Sequence, residues 1–318
     1  MSRVNYTYFQ QHTIGREVVC SGVGLHSGAK VSMKLKPAPA NFGIRFRRMD
    51  VCGQPVIDAH HHRVVDTFQA TTIGFDGVVV ATIEHVMAAF LGAAIDNVLV
   101  ELDGPEVPIF DGSAAPFLRL LWKAGTRRQN SVRNCLSIDK TILLKDGEAY
   151  IKAVPSDGFR VRYAIEYPHP LVGKQEFLWA FDEDGFARDI AGARTFGFLK
   201  DVQKLQNMGR AQGGSLDNAV VFDDRGLLNQ GGFRYSDECV RHKILDFMGD
   251  LALMGMPIIG YFEVFKAGHT LHRRFIEQLT ASPGCCTVSR AASLPARIFH
   301  TAPLASFAGG FPQMVKTL

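Results

Sequence analysis

The sequence predicts an α+β protein made of two similar domains. Three observations carry that expectation. A chain of 318 residues suggests about two domains. Short strand-like runs between glycine-rich turns outnumber the helical stretches. One order of elements also recurs. Helix, glycine turn and strand occur at His85, Gly92 and Val98 to Val100, and again at His242, Gly255 and Ile258 to Glu263. The echo is what two domains would show if they faced each other and each gave one helix to a shared site.

Composition narrows the function. The chain is 47% hydrophobic and 21% charged, the profile of an ordinary soluble globular protein. A net charge of +4 is too small to argue for nucleic acid, although residues 45–48 are locally basic. No apolar run approaches the roughly 18 residues of a membrane span, so no stable membrane insertion is expected. The six cysteines show no CxxC spacing, which fits free thiols in a reducing compartment. The first residues carry no apolar signal segment. A cytoplasmic protein is expected, with monomer as the default state.

In chain order, residues 17–20, 31–35 and 43–46 alternate as strands, with tight turns around Gly22, Gly24 and Gly28. His26 falls in one turn and reads as a turn polar group. His60, His61 and His62 look like a metal tract, but three consecutive strand side chains cannot converge on one ion, so they are expected as strand or loop residues, with a metal role the lesser alternative. Residues 82–92 read as a short helix capped by Thr82 and ended by Gly92. Glu84 and His85 lie in its first turn, where the helix dipole keeps an imidazole neutral and able to bind a cation. A strand over 95–102, a turn-dense loop over 103–113 and a helix over 114–124 follow. The polar, non-periodic stretch 126–133 reads as a linker between residues 1–125, which supply Glu84 and His85, and 134–300. Strands resume at 136–138, 149–154 and 159–167. Within a less regular segment over about 194–235, Phe196, Phe198, Leu199, Val202 and Leu205 form an apolar face on an expected helix, either core or a channel for an alkyl chain. A strand over 258–265, a turn over 266–270 and a helix over 271–279 come last, before a tail over 301–318 expected to be loosely ordered.

The most informative helix spans 236–254, with Ser236 as its expected N-cap and Gly255 and Pro257 beyond its end. His242, Asp246 and Asp250 recur every four residues, which keeps them within an arc of roughly 80°. One imidazole and two carboxylates among Val240, Ile244, Leu245, Phe247 and Met248 are costly unless paired or bound to a cation. A surface pair or a satisfied core histidine would also explain His242 and Asp246 alone. With His85 they give the three-ligand set of a hydrolytic zinc site, open to water at the fourth position. Glu84 then stands beside a ligand as general base, and Lys243 and the Thr195 hydroxyl could steady an oxyanion. His269 could protonate a leaving amine, with Asp250 orienting it and raising its pKa. Spacing alone does not separate amidase from phosphatase or lyase.

Eight strings in one order add a resemblance. They are GVGLHSG (22–28), TIEHVMAA (82–89), IDNV (95–98), GPEVPIFDGS (104–113), ARTFG (193–197), GGSLDNA (213–219), VRHKILD (240–246) and KAGH (266–269). Over about residues 11–279 the chain resembles the UDP-3-O-(3-hydroxyacyl)-N-acetylglucosamine deacetylases, the zinc enzymes of the committed step of lipid A synthesis. The resemblance implies two domains, each a mostly antiparallel sheet with two helices, packed β-α-α-β with helices inside. It implies Zn2+ on His85, His242 and Asp246, with Fe2+ an alternative in the cell since such a site accepts both. It implies Glu84 as base, His269 as acid with Asp250 behind it, and Lys243 and Thr195 around the oxyanion. The segment of Phe196, Phe198, Leu199 and Val202 matches an insert forming an acyl passage. Tyr167 stands where the family places an aromatic ring under uracil, and Lys266 where a phosphate would be met. The expected partner is the small-molecule substrate alone. One departure is Thr270-Leu271-His272, where the family shows Ala-Leu-Asn; it leaves that helix edge less secure without touching a proposed catalytic residue.

Overall fold

Period-two alternation builds the sheets. A computed structural model describes residues 9–182, 184–282 and 284–291. In the first half, β1 (Gln10–Ile14), β2 (Val18–Val23), β3 (Lys30–Pro37), β4 (Ile44–Arg48), β5 (Val56–Asp58), β6 (Val64–Asp66), β7 (Thr72–Phe75) and β8 (Val78–Val80) precede α1 (Glu84–Gly92). Then come β9 (Val98–Leu102), α2 (Ala115–Ala124) and β10 (Thr126–Val132). The second half runs through β11 (Asn134–Ile138), β12 (Ile142–Asp146), β13 (Ala149–Val154), β14 (Phe159–Glu166), β15 (Lys174–Ala180) and β16 (Phe196–Phe198). It closes with α3 (Leu199–Asn207), β17 (Val220–Asp223), β18 (Gly226–Leu227), α4 (Glu238–Leu251), β19 (Ile258–Phe265), α5 (His269–Ala281) and β20 (Cys286–Arg290).

The echo seen in the sequence is a repeat of topology. One sheet has the order β2-β3-β9-β4-β5, antiparallel throughout except for the parallel pair β4 and β9. Within the other, seven-stranded sheet, β12-β13-β19-β14-β15 follows the same path with β14 and β19 parallel, and β11, also parallel to β19, adds β20. In both, the central strand is the one that follows a buried helix. β3 shows the alternation expected of a sheet with one wet face, burying Val31, Met33 and Leu35 and leaving the residues between more exposed. The fold is the expected α+β arrangement, with helices between the sheets.

The helical layer depends on one contact. α1 is buried from Glu84 to Phe90, and α4 buries nearly every residue but Arg241 and Lys243. The two helices pack on each other where Gly249 meets the first turn of α1, and a β-carbon at 249 would overlap the Glu84 carbonyl oxygen. Only glycine lets the backbones come that close.

Several local expectations are corrected. Thr82 does not cap α1. Its φ is +57°, Ile83 holds the cap position, and the Thr82 hydroxyl donates to Glu106 Oε1 at 2.7 Å. Glu106 also accepts the backbone N–H groups of His26 at 2.8 Å and Ser27 at 2.7 Å, so one buried carboxylate ties the GVGLHSG turn to the start of α1. α4 starts at Glu238, with Asp237 rather than Ser236 at its cap, and ends in a 3-10 turn over Ala252–Met254. α5 begins at His269, so that residue opens a helix instead of lying in a turn. The stretch expected as non-periodic is regular: Thr126–Val132 is β10, antiparallel to β1, and it lacks an apolar rhythm because it buries no side chain. His61–Arg63 form a 3-10 turn with His60 at its cap, not a strand. The tail over 301–318 lies outside the described residues.

The segment after Thr195 is not one helix. Phe196 and Phe198 sit on strand β16, half-buried against the core, and the helix α3 begins only at Leu199. α3 buries no residue, so Leu199, Val202 and Leu205 do not serve as core.

Gly249→Ala should cost several kcal/mol, because added atoms at a close-packed crossing cost about 1–3 kcal/mol even where the backbone can give. Denaturant unfolding would show the loss, whereas Gly231→Ala, in open space, should leave the midpoint unchanged.

Candidate active site

α1 and α4 bring three ligand-type side chains to one point. His85 comes from the first turn of α1, and His242 and Asp246 from one face of α4; all are almost wholly buried. Asp246 Oδ1 lies 3.2 Å from His242 Nε2 and 3.6 Å from His85 Nε2, and the two rings stand nearly perpendicular at 5.0 Å. Asp246 Oδ1 is buried with no hydrogen-bond partner. The His242 Nδ1–H is directed to the Ala193 carbonyl at 3.1 Å, which leaves the Nε2 lone pair facing Asp246. An orphaned carboxylate oxygen opposite imidazole nitrogens is a donor set awaiting a cation. The separations match the roughly 3.3 Å between ligands on a tetrahedral ion with bonds of about 2.0–2.1 Å. His85, His242 and Asp246 fit a divalent metal.

Around this point the charges are arranged in pairs. Lys243 Nζ donates to Asp246 Oδ2 at 2.7 Å. Burial opposes the charge on Lys243, but Asp246 outweighs it and raises the pKa. Burial would also raise the pKa of Asp246, yet His242 and Lys243 hold it well below the usual carboxylate range. Glu84 accepts the Thr71 N–H at 3.0 Å, and its own pKa is raised by burial against the pull of His269.

The acid side is organised by Asp250. Its Oδ2 accepts from His269 Nδ1 at 2.8 Å and from His272 Nδ1 at 2.7 Å, while Oδ1 accepts the Thr71 hydroxyl at 2.6 Å. Burial disfavours a charged His269, but Asp250 outweighs it and takes the pKa to about 9. His269 Nε2 then points to Glu84 Oε1 at 3.9 Å. Asp250 itself is held at about 2 against its burial, chiefly by His269.

Two residues of this network escaped the sequence reading. Thr71 bonds both Glu84 and Asp250, and nothing in a lone threonine before a strand marks it. His272 was noted only as a departure, yet it shares an oxygen of Asp250 with His269, and its Nε2 lies 3.2 Å from the Tyr163 hydroxyl. Its position three residues after His269 on a helix was the available signal.

A cleft of about 510 Å³ opens onto the centre, lined by Glu84, His85, His242, Lys243, Asp246 and His269 together with Thr195, Phe196 and Lys266. Asp250 lies behind it. Phe198, Leu199 and Tyr167 line a second pocket of about 380 Å³ with His169 and Phe222. Tyr167 packs against Phe196 and Phe198 at centroid distances of 5.5 and 5.6 Å. Val202 lines neither space and lies near Gly197. Lys266 is held by Glu148 at 2.9 Å and Glu166 at 2.8 Å.

A sequence model of the family UDP-3-O-acyl N-acetylglycosamine deacetylase matches residues 11–281. Proteins named UDP-3-O-acyl-N-acetylglucosamine deacetylase are similar over most of their length. The one from Anaeromyxobacter sp. (strain Fw109-5) is 46% identical, over 92% of this chain and 96% of its own. That of Myxococcus xanthus (strain DK1622) is 48% identical over 87% and 88%, and that of Nitratidesulfovibrio vulgaris 49% over 85% and 87%.

Asp250→Asn removes the carboxylate that outweighs burial at His269. In the metal-free protein the His269 ring should then titrate well below about 9, a change that NMR of the imidazole would follow. An unmoved titration would mean that Asp250 does not set this charge.

Proposed function

Because the chain belongs to the UDP-3-O-acyl N-acetylglycosamine deacetylase family, we propose that this cleft hydrolyses the acetamide of UDP-3-O-(3-hydroxyacyl)-N-acetylglucosamine. The products are acetate and the free 2-amino sugar nucleotide, in the committed step of lipid A biosynthesis. The observation that supports the reading most is the orphaned Asp246 Oδ1 facing His85 and His242, with Glu84 and His269 lining the same cleft.

His85, His242 and Asp246 would hold a zinc ion, with Fe2+ the alternative occupant in the cell. That ion supplies Lewis acidity toward the acetyl carbonyl and makes a water acidic enough to attack near neutral pH. The chain's own groups handle the protons. Glu84 takes one from the attacking water, a role that its burial favours by making the carboxylate more basic. As the carbonyl becomes tetrahedral, Lys243 and the Thr195 hydroxyl steady the negative oxygen from the cleft wall. His269 enters protonated, because Asp250 holds its Nδ1–H, and gives the Nε2 proton to the departing nitrogen as the C–N bond breaks. Thr71 and His272 fix Asp250 and so the direction in which His269 points.

Substrate contacts follow from the two spaces. Phe196 stands in the cleft, and Phe198, Leu199, Tyr167 and Phe222 form the apolar side of the second pocket, where a hydroxyacyl chain would leave water; Lys200, Asp201, Asp223 and Asp224 line its other side. The packing of Tyr167, edge-on to Phe196 and tilted against Phe198, favours the apolar wall for it over a place beneath uracil. Val202 acts only from behind β16. Lys266 lies on the cleft, and a diphosphate reaching it would replace Glu148 or Glu166 as its partner. Residues 1–125 and 134–300 act as the two domains, joined through 126–133, in a monomer that works in the cytoplasm. Among the described residues no helix is long and apolar enough to cross a membrane.

Glu84→Gln should keep stoichiometric metal and lose about 10²–10⁴-fold in acetate release, the usual worth of a general base. Loss of metal with loss of rate would instead make Glu84 a ligand. Phe198→Asp should raise KM for the acylated UDP-sugar far more than it lowers kcat. Equal turnover of free N-acetylglucosamine and the nucleotide substrate would sink the assignment of substrate.

A further inference from the structure

The 3-10 turn over His61–Arg63 gathers three imidazoles outside the catalytic cleft. His60, at the cap, has its ring centroid 4.4 Å from that of His61 and 4.3 Å from that of His62. The Nδ1 atoms of His60 and His62 lie 2.6 Å apart, and ligand atoms of all three fall within 4.8 Å of one another. None of the three is fully buried, and His62 is exposed, so an ion could reach them from solvent. None lines the cleft.

We propose that His60, His61 and His62 form a second metal site, taking a divalent transition ion of the zinc, nickel or copper class. Imidazole is the ligand type those ions share, and three of them leave a position open to water. The backbone is already set. The Arg63 N–H bonds the His60 carbonyl at 2.8 Å and closes the turn, and buried Ala59 and Val64 pin its two ends. A tetrahedral ion needs ligand nitrogens roughly 3.3 Å apart. The 2.6 Å pair must open slightly and the third ring close in, movements of side-chain torsions alone.

Arg63 is turned away onto the Phe75 ring at 4.2 Å. The other arginines facing the turn's carboxylates are matched: Asp58 pairs with Arg45 at 3.0 Å, and Glu277 of α5 with Arg273 at 2.9 Å.

The test is zinc uptake by the purified holoenzyme, measured by equilibrium dialysis at pH 7. The chain should bind one ion beyond the catalytic equivalent. His60→Ala/His62→Ala should lose that ion while keeping its thermal midpoint and deacetylase rate. His61→Ala alone should weaken it at least tenfold. Nitrogen NMR should show zinc shifting the ring resonances of His60 and His62. A wild-type chain that takes up no extra ion overturns the site. So does an extra ion that survives in the double variant, since it would then be bound elsewhere, for instance in the catalytic cleft.

Discussion

The crossing of α1 and α4 at Gly249 is the constraint on which the rest depends. The missing side chain lets α4 rest on the Glu84 carbonyl, and Glu84 and His85 occupy that same first turn. His242, Asp246 and Asp250 point to one side of α4 at four-residue steps from there. A distance between backbones thus sets the distance between Glu84 and His85 of one helix and His242 and Asp246 of the other. Any side chain at 249 would push the two halves apart along the line that joins them chemically.

Burial makes the centre both costly and specific. Glu84, His85, His242, Asp246, Asp250 and His269 are all nearly or fully out of water. Charges there persist only if each is matched. Asp250 is matched by two imidazoles and a hydroxyl, and Asp246 Oδ2 by Lys243. Asp246 Oδ1 is the exception, a buried carboxylate oxygen without a hydrogen-bond partner that faces His85 and His242. The low dielectric that makes this imbalance expensive also pushes the basicity of Glu84 up and lets Asp250 keep His269 charged.

The legibility of these parts varied for physical reasons. Helical periodicity exposed His242, Asp246 and Asp250, because a fixed 3.6-residue turn converts spacing into direction. Period-two runs likewise gave Ala149–Val154 and Ile258–Phe265 as strands with the bounds they have. Caps were less readable. Thr82 and Ser236 both have the right chemistry, but Thr82 is held in a positive φ by Glu106, a partner 24 residues away. β10 was invisible because both its faces carry polar residues and its pairing to β1 is made by the backbone. The histidine run, expected in a strand or loop, forms a 3-10 turn, which gathers three side chains that a strand would alternate, and no local pattern distinguished the two.

By itself the sequence determined the α+β class, the repeated order of elements, and the residue types able to bind a cation and move protons. Those follow from local periodicity and side-chain chemistry, which need no knowledge of the rest of the chain. Only the tertiary structure decided that His85 meets residues 157 and 161 positions further on, that Thr71 and His272 brace Asp250, and that Tyr167 packs on Phe196 and Phe198. Such meetings are set by how two sheets and their inner helices pack. Packing is a sum over the whole core, which no stretch of sequence records alone.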